Sequence, residues 1–189
     1  MQNEIIFAGF GGQGVLFGGM LLAQAAVEQG LQTTWFPNYG AEMRGGTANS
    51  TVIIADHEIG SPIAGRPTVL ITLNDLSLRR FLPRIVDGGT VIFNSSLITD
   101  EFAARELKAA GKTFTVIRVP ATDIASAELG TVQTANVIMA GVFLKASGLL
   151  TLASATAACA AVLADKPRLI DINKKALVRG FSFEERSAS

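Results

Sequence analysis

A cluster of glycines between a short apolar segment and a helix-forming segment constrains this chain more than any other feature. Gly9, Gly11 and Gly14 form the pattern G-x-G-x-x-G, and Gly12 adds a fourth glycine. Glycine tolerates a tight turn and lets the backbone approach a ligand closely. The helix that follows would direct free N–H groups and its positive dipole end at an anion. We therefore predict a phosphate-binding elbow, with Gln13 adding an amide contact. Close packing of the helix on the strand is the alternative role for these glycines.

The residues after the second predicted strand argue against a dinucleotide site. Such a site needs a carboxylate about 20 residues after the glycines to hold a ribose. Residues 35–39 offer none, and the first carboxylate to follow is Glu42. A stand-alone NAD(P)-dependent oxidoreductase is therefore a less favoured function.

Segments typical of strands alternate with segments of helical periodicity along the chain. The predicted strands are 4–8, 33–36, 47–55, 68–73, 88–94 and 113–119, and the predicted helices are 15–28, 74–82, 99–110, 121–130, 134–148, 151–164 and 168–180. This alternation indicates an α/β fold with a Rossmann-like, mostly parallel sheet and helices on both faces. Asp56 and His57 predict the tip of an antiparallel hairpin, whose return strand stops at Pro62. Gly30 and Gly180 are predicted to end the first and last helices. One domain, residues 1–181, precedes a polar tail, residues 182–189.

A second unusual segment, NYGAEMRGGTANS, follows the second predicted strand. Glu42 and Arg44 lie two residues apart, so that an extended backbone would point them the same way. A guanidinium can bind a phosphate or carboxylate with two hydrogen bonds, and Gly45 and Gly46 allow close approach of another chain. A surface ion pair beside a turn is the simpler interpretation. Both this segment and the glycine elbow follow strands at their carboxyl ends, where α/β sheets bind ligands.

Composition excludes several classes of function. The net charge is zero, with 16 basic and 16 acidic residues and no basic stripe, so we expect no nucleic-acid partner. The single cysteine, Cys159, cannot build a zinc site or an iron–sulfur cluster. No catalytic triad or metal-ligand spacing is apparent, so we expect neither catalytic residues nor a metal on this chain. No signal peptide or confident membrane span is apparent, and we expect a cytoplasmic protein.

The charged fraction is also unusually low. Charged residues make up 17% of the chain, against about 25% in typical domains. A permanent subunit interface would explain this shortage, because interface cores are depleted of charge. A tightly packed monomer with a surface rich in alanine and glycine is the alternative.

Taken together, five segments resemble the gamma subunit of 2-oxoacid:ferredoxin oxidoreductases. They are GFGGQGVLFGGMLLAQA, WFPNYGAEMRGGTANSTVIIA, IGSPI, TANVIMAG and NKKALVRG, which span nearly the whole chain. The resemblance implies a cytoplasmic complex of anaerobic metabolism that converts a 2-oxoacid, CoA and oxidised ferredoxin to acyl-CoA, CO2 and reduced ferredoxin. It implies alpha and beta partner subunits and a possible ferredoxin-like delta subunit. Those partners would hold thiamine diphosphate, Mg²⁺ and iron–sulfur clusters, with CoA as co-substrate, and this chain would hold no cofactor alone.

The same resemblance assigns the candidate site residues position by position. They are Gly9, Gly11, Gly12, Gln13 and Gly14 in the elbow, Glu42, Arg44, Gly45, Gly46 and Thr47 in the second segment, and Asn136 on a later helix. Two positions depart from the family pattern, because Ser50 stands where relatives often have cysteine and Thr131 where they often have asparagine. Our hypothesis is a non-catalytic subunit that lines the CoA side of the active site, inactive in isolation, with 2-oxoglutarate the favoured substrate. A purely structural subunit of the same complex is the alternative.

Overall fold

A computed structural model describes residues 1–39 and 47–185. The strands are β1 (Gln2–Phe10), β2 (Gln32–Tyr39), β3 (Thr47–Ala55), β4 (Val69–Thr72), β5 (Thr90–Asn94) and β6 (Thr115–Val119). The helices are α1 (Val15–Glu28), α2 (Asp75–Phe81), α3 (Asp100–Ala110), α4 (Ala121–Leu129), α5 (Ala135–Ser147), α6 (Leu152–Val162) and α7 (Ile170–Phe181). Short 3-10 turns at Leu82–Arg84, Val132–Thr134 and Pro167–Leu169 precede or follow helices. The predicted strands and helices listed above are all present.

The six strands form one sheet in the order β2-β3-β1-β4-β5-β6. β1, β4, β5 and β6 pair in parallel, whereas β3 runs antiparallel to both of its neighbours. A larger apolar core lies between one face of the sheet and α1, α4, α5, α6 and α7. A smaller core lies under α2 and α3 on the other face. The predicted α/β fold, mostly parallel and covered on both faces, is confirmed.

The hairpin predicted at Asp56 and His57 is wrong. These two residues form a bend, and the described chain contains no strand between Ala55 and Val69. The segment that follows holds Gly60, Pro62 and further turn residues, which prevent a continuous ladder. The antiparallel part of the sheet comes from β3, which pairs with β2 on one side and with the full length of β1 on the other.

Two glycines predicted to end helices have different roles. Gly30 has a φ of 77° directly after α1 and its amide donates to Val27 O, so that prediction is confirmed. Gly180 lies inside α7, where a Cβ would come within 2.0 Å of Ile138 O. A Cβ on Gly141 would in turn come within 2.3 Å of Leu177 O. Gly180 therefore lets α5 and α7 cross with their backbones in contact. α7 ends one residue later, at Phe181, so the predicted end of the last helix is confirmed to within one residue, although Gly180 does not cap it.

Of the predicted polar tail, residues 182–185 are described, and Phe183 packs against the larger core. None of the described helices combines the length and apolar character that a membrane span requires.

Candidate functional site

The glycine elbow is a tight turn that joins β1 to α1. The backbone N–H of Gln13 donates to Phe10 O at 3.1 Å, and this bond closes a four-residue turn. Gly12 occupies the third position of this turn with a φ of 98°, where a side chain would strain the backbone. Gly14, with a φ of 73°, is the residue from which α1 begins. The predicted strand–turn–helix context of the motif is therefore present.

The glycines have distinct physical roles. A Cβ on Gly9 would come within 2.7 Å of both Val15 Cγ1 and Gln13 Oε1, so this glycine permits close packing of the loop on β1. A Cβ on Gly14 would come within 2.4 Å of Asn136 Nδ2. A Cβ on Gly12 would meet open space, so only the backbone conformation requires glycine there. Close packing therefore explains why Gly9 and Gly14 are glycines. At Gly12 the outer side of the elbow presents only backbone atoms.

The Gln13 side chain closes the elbow from within. Its Oε1 accepts a hydrogen bond from Phe10 N at 2.7 Å and a second from Asn74 Nδ2 at 2.9 Å. Asn74 follows β4, the parallel neighbour of β1, and its own Oδ1 accepts from Ser77 N to cap α2. Both internal bonds use the amide oxygen of Gln13, so its Nε2 takes no part in closing the elbow.

The first turn of α1 has free N–H groups. Among the described residues no side chain caps this helix, and its first turn contains no acidic residue. Side chains of Asn74, Thr99 and Thr151 accept backbone N–H bonds at the starts of α2, α3 and α6, whereas α5 and α7 resemble α1 in having no side-chain cap. Uncapped N–H groups and the helix dipole together favour a bound anion.

Two cavities flank the elbow. The larger, of about 310 Å³, is lined by Gly12, Gly14, Phe17, Thr131, Gln133, Thr134, Asn136, Leu163, Lys166, Leu169, Ile172 and Asn173. The smaller, of about 150 Å³, is lined by Gly12, Gln13, Leu73, Asn94, Leu97, Thr122, Val132, Gln133 and Ala135. Lys166 adds a positive charge to the lining of the larger cavity. Sequence reasoning missed Lys166 because only folding brings it to the elbow.

Asn136 connects α5 to the elbow. Its side chain is 2% exposed, and Nδ2 donates to Gly14 O at 2.8 Å. Its Oδ1 is buried and has no hydrogen-bond partner among the described residues. The predicted site residue Asn136 therefore lies against the elbow and holds Gly14 in place, across 122 residues of sequence.

The second predicted segment is described only at its ends. Glu42, Arg44, Gly45 and Gly46 lie outside the described residues. Thr47 pairs with Phe10, the last residue of β1, and Tyr39 at the end of β2 pairs with Ala48. Both ends therefore meet the sheet edge that carries the elbow.

Thr47 has a partner that sequence reasoning did not find. Its Oγ1 accepts a hydrogen bond from the Arg80 guanidinium on α2. Two departures from the family pattern also have local roles, since Ser50 Oγ donates to Val15 O and Thr131 Oγ1 accepts from Gln133 N.

The strand order adds a reason against a dinucleotide site. In a dinucleotide-binding fold, the ribose carboxylate follows the strand adjacent to β1. Here β3 lies between β1 and β2, and its amino end lies beside the carboxyl end of β1. The end of β2 is therefore two strand spacings, about 10 Å, from β1.

Titratable groups with shifted pKa values lie away from the elbow. Hydrogen bonding to Arg79 lowers the pKa of Glu106, and hydrogen bonding to Arg179 lowers that of Glu128. Burial raises the pKa of the Cys159 thiol, which keeps it protonated and unreactive. In the part of the chain that the structure describes, no group of three or more His, Cys, Asp or Glu side chains could hold a metal ion.

A further cavity, of about 680 Å³, lies beside β6 and α7. It is lined by Ser95, Arg118, Pro120, Ile124, Arg179, Ser182, Phe183, Glu184 and Glu185. Its two arginines already pair with carboxylates of this chain, Arg118 with Asp100 and Arg179 with Glu128. This internal pairing makes it a weaker anion site than the elbow, whose N–H groups are free.

Comparisons with known proteins agree with this geometry. Residues 4–183 match the family described as pyruvate ferredoxin/flavodoxin oxidoreductase. Ketoisovalerate oxidoreductase subunit VorA of Methanothermobacter thermautotrophicus is 41% identical over 181 residues, which cover 95% of this chain and 36% of the relative. 2-Oxoglutarate synthase subunit KorC of the same organism is 33% identical over 161 residues, which cover 82% of each chain. This chain spans about a third of the length of the first curated relatives it matches.

A solved structure shows the same architecture. Pyruvate oxidoreductase subunit PORC of Thermotoga maritima superposes with a TM-score of 0.78 at 26% identity, covering 95% of each chain. The chain therefore belongs to the pyruvate ferredoxin/flavodoxin oxidoreductase family, as a member of the gamma-subunit group of 2-oxoacid:ferredoxin oxidoreductases.

Proposed function

We propose that this chain is a non-catalytic subunit that lines the CoA side of the active site in a cytoplasmic 2-oxoacid:ferredoxin oxidoreductase. The complex would convert a 2-oxoacid, CoA and oxidised ferredoxin to acyl-CoA, CO2 and reduced ferredoxin. The observation that supports this role is the uncapped start of α1, which lies beside a cavity that Lys166 also lines. Such a start favours the phosphate groups of CoA.

The composition of the larger cavity also suits CoA. Phe17, Leu163 and Leu169 supply apolar wall, and Lys166 with the free N–H groups of α1 supplies positive potential. CoA combines anionic phosphates with a long, weakly polar arm, so both kinds of surface have a use. Gln13 Nε2 and Arg44 would add donors from the two predicted segments.

The redox chemistry is assigned to partner chains. A single buried cysteine cannot ligate an iron–sulfur cluster, and the described residues contain no cluster of three or more His, Cys, Asp or Glu side chains that could hold a metal ion. We propose that alpha and beta subunits, and a ferredoxin-like delta subunit where present, hold thiamine diphosphate, Mg²⁺ and the clusters. Ferredoxin would accept the electrons, and this chain would be inactive alone.

The proposed 2-oxoacid is 2-oxoglutarate, with ketoisovalerate as a second candidate. The names of similar proteins support both, since KorC is a 2-oxoglutarate synthase subunit and the 41% identical VorA is a ketoisovalerate oxidoreductase subunit. A related subunit in Thermococcus kodakarensis is named as common to pyruvate and ketoisovalerate oxidoreductases. Turnover of the purified native complex with each 2-oxoacid will identify the substrate.

The replacement Gln13→Glu tests CoA contact without removing the internal hydrogen bonds. Glutamate keeps an oxygen for Phe10 N and Asn74 Nδ2, and it adds a negative charge at the start of α1. We expect the KM for CoA in the reconstituted complex to rise about tenfold, because an anion would meet a like charge at close range. The KM for the 2-oxoacid should change little.

Gln32→Glu is the matched control. Gln32 is exposed at the start of β2, on the opposite edge of the sheet, and should leave the KM for CoA unchanged. Arg44→Ala should also raise the KM for CoA. If neither Gln13→Glu nor Arg44→Ala alters that constant in a fully assembled complex, the chain is a purely structural subunit.

A further inference from the structure

The cavity beside β6 and α7 contains a guanidinium nitrogen that makes no hydrogen bond. Arg118 Nη1 donates to Asp100 Oδ2 at 2.8 Å, whereas its Nε is buried and has no hydrogen-bond partner among the described residues. Glu185 Oε1 forms an ion pair with this Nε at 3.5 Å, which is longer than a charge-assisted hydrogen bond. A buried donor without an acceptor is destabilising, so this nitrogen favours an acceptor beyond those that the described residues supply.

A second arginine lines the same cavity. Arg179 Nε and Nη2 donate to the Glu128 carboxylate at 2.6 and 2.9 Å. A guanidinium has five N–H donors, so Arg118 and Arg179 both keep donors that these bonds do not use. The side chains of Asp100 and Glu128 are 60% and 46% exposed, and exposed ion pairs of this kind are weak. The two arginines can therefore bind a further carboxylate without losing these partners.

The rest of the lining suits an organic anion. Pro120, Ile124 and Phe183 contribute apolar surface, and Phe183 is held in place by packing against the larger core. The volume of about 680 Å³ lies in the range of about 300–1,000 Å³ that is typical of pockets for small organic molecules. An inorganic anion would leave this apolar surface unused.

The segment that follows α7 places two carboxylates of the chain itself at this cavity. Glu184 and Glu185 both line it, and Glu184 forms an ion pair with Lys145 Nζ at 3.8 Å. This distance and the 3.5 Å between Glu185 and Arg118 both exceed the length of a charge-assisted hydrogen bond, about 2.7–2.9 Å. The carboxylate that faces Arg118 Nε is therefore held loosely, and a ligand can displace it.

We propose that this cavity binds a small organic carboxylate. Its carboxylate group would replace Glu185 as the partner of Arg118 Nε, with Arg179 as a second cation, and its apolar part would contact Pro120, Ile124 and Phe183. Guanidinium groups bind carboxylates with two parallel hydrogen bonds, which favours a carboxylate over a spherical anion. No residue of this lining also lines either cavity at the elbow, so the site is separate from the proposed CoA site.

The test is a titration of the ¹⁵N-labelled full chain with hexanoate, followed by NMR at pH 7 and constant ionic strength. Hexanamide is the matched control ligand, because it has the same apolar body without the charge. The Arg118 Nε–H signal should shift and saturate with hexanoate, and hexanamide and inorganic phosphate should each bind at least tenfold more weakly. Hexanoate binding is measured without CoA, so its failure leaves the proposed function unaffected.

Two substitutions of opposite effect test the assigned residues. Arg118→Gln should weaken hexanoate binding at least tenfold, and Glu185→Gln should strengthen it at least threefold, because the competing carboxylate is removed. Arg105→Gln and Glu58→Gln are the controls, since they remove exposed charges outside this lining and should leave the affinity unchanged.

Several results would overturn the site. They are the absence of saturable hexanoate binding, equal affinity of the native chain and a folded Arg118→Gln variant, phosphate binding as tight as that of hexanoate, and shifts centred on the amides of Gly12 and Gly14. Thermal unfolding shows whether Arg118→Gln is folded. If it is not, Glu185→Gln decides alone, because Glu185 is exposed, and an affinity equal to that of the native chain would exclude the proposed site.

Discussion

The two edges of the central sheet are built from different chemistry. At the carboxyl edge, neutral amides hold the elbow, with Gln13 bonded to Phe10 N and Asn74, and Asn136 bonded to Gly14 O. At the amino edge, the Gln29 amide and charged groups both hold loops, with Gln29 bonded to Leu149 O and Thr151 N. Glu4 Oε2 accepts from Arg66 N at 2.7 Å, and Lys112 Nζ donates to two backbone carbonyls.

The difference indicates what the elbow can face. A charge in a loop costs little in water but several kcal/mol, roughly, when a partner covers it without compensation. An amide can donate and accept at once, and its desolvation cost is smaller. The elbow is therefore suited to being covered by a ligand or a partner chain, because the amides that hold it carry no charge that would have to be desolvated.

The largest expected effect is on the free energy of unfolding, when either of two glycines with a similar positive φ is replaced by alanine. Gly14 at the carboxyl edge has a φ of 73° and Gly30 at the amino edge a φ of 77°. Gly30→Ala should cost about 1–2 kcal/mol, the strain of a left-handed alanine. Gly14→Ala should cost a further 1–3 kcal/mol, roughly, because its Cβ would lie 2.4 Å from Asn136 Nδ2. Chemical denaturation of both variants measures the difference.

Equal costs for the two variants would show that Asn136 moves aside without penalty. The elbow would then be loosely held, and the tight contact between α5 and Gly14 would not define its shape.

A smaller effect is expected from removing the amide that closes the elbow. Gln13→Ala leaves Phe10 N and Asn74 Nδ2 without their shared acceptor, and should lower the free energy of unfolding by about 1–3 kcal/mol. Hydrogen exchange at the Phe10 amide should quicken at least tenfold relative to the centre of β1. Gln24→Ala is the control, because Gln24 Nε2 bonds only Glu28 on the exposed surface of α1. Unchanged exchange at Phe10 would mean that Gln13 does not hold the loop.

Local patterns predicted much of this architecture. Segments with the apolar periodicity of strands alternate with segments that have the periodicity of helices, and this alternation located both kinds of element. The glycine spacing located the elbow. Both signals depend on residues close in sequence. The position of β3 between β1 and β2 could not be predicted from such patterns, since it depends on pairing between distant segments. The contacts of Gln13 with Asn74 and of Lys166 with the elbow cavity are non-local for the same reason. The roles of Glu42 and Arg44 stay predictions, because they lie outside the described residues.

The smallest effect concerns acid, which should weaken the contact that Asp56 makes at the amino edge. The Asp56 carboxylate accepts hydrogen bonds from the N-terminal ammonium group and from His57, and these lower its pKa to about 2. A lowered pKa means that the folded chain prefers the ionised form. Its contribution to stability is therefore complete above the ordinary value of 3.8 and is lost as the pH falls toward 2. Because the group is fully exposed, Asp56→Asn should lower the Tm at pH 7 by at most about 2 °C. The gap between native and variant Tm should close between pH 4 and pH 2. A gap that persists at pH 2 would show that Asp56 acts through packing, and the amino edge would then resemble the carboxyl edge in holding its loops without charge.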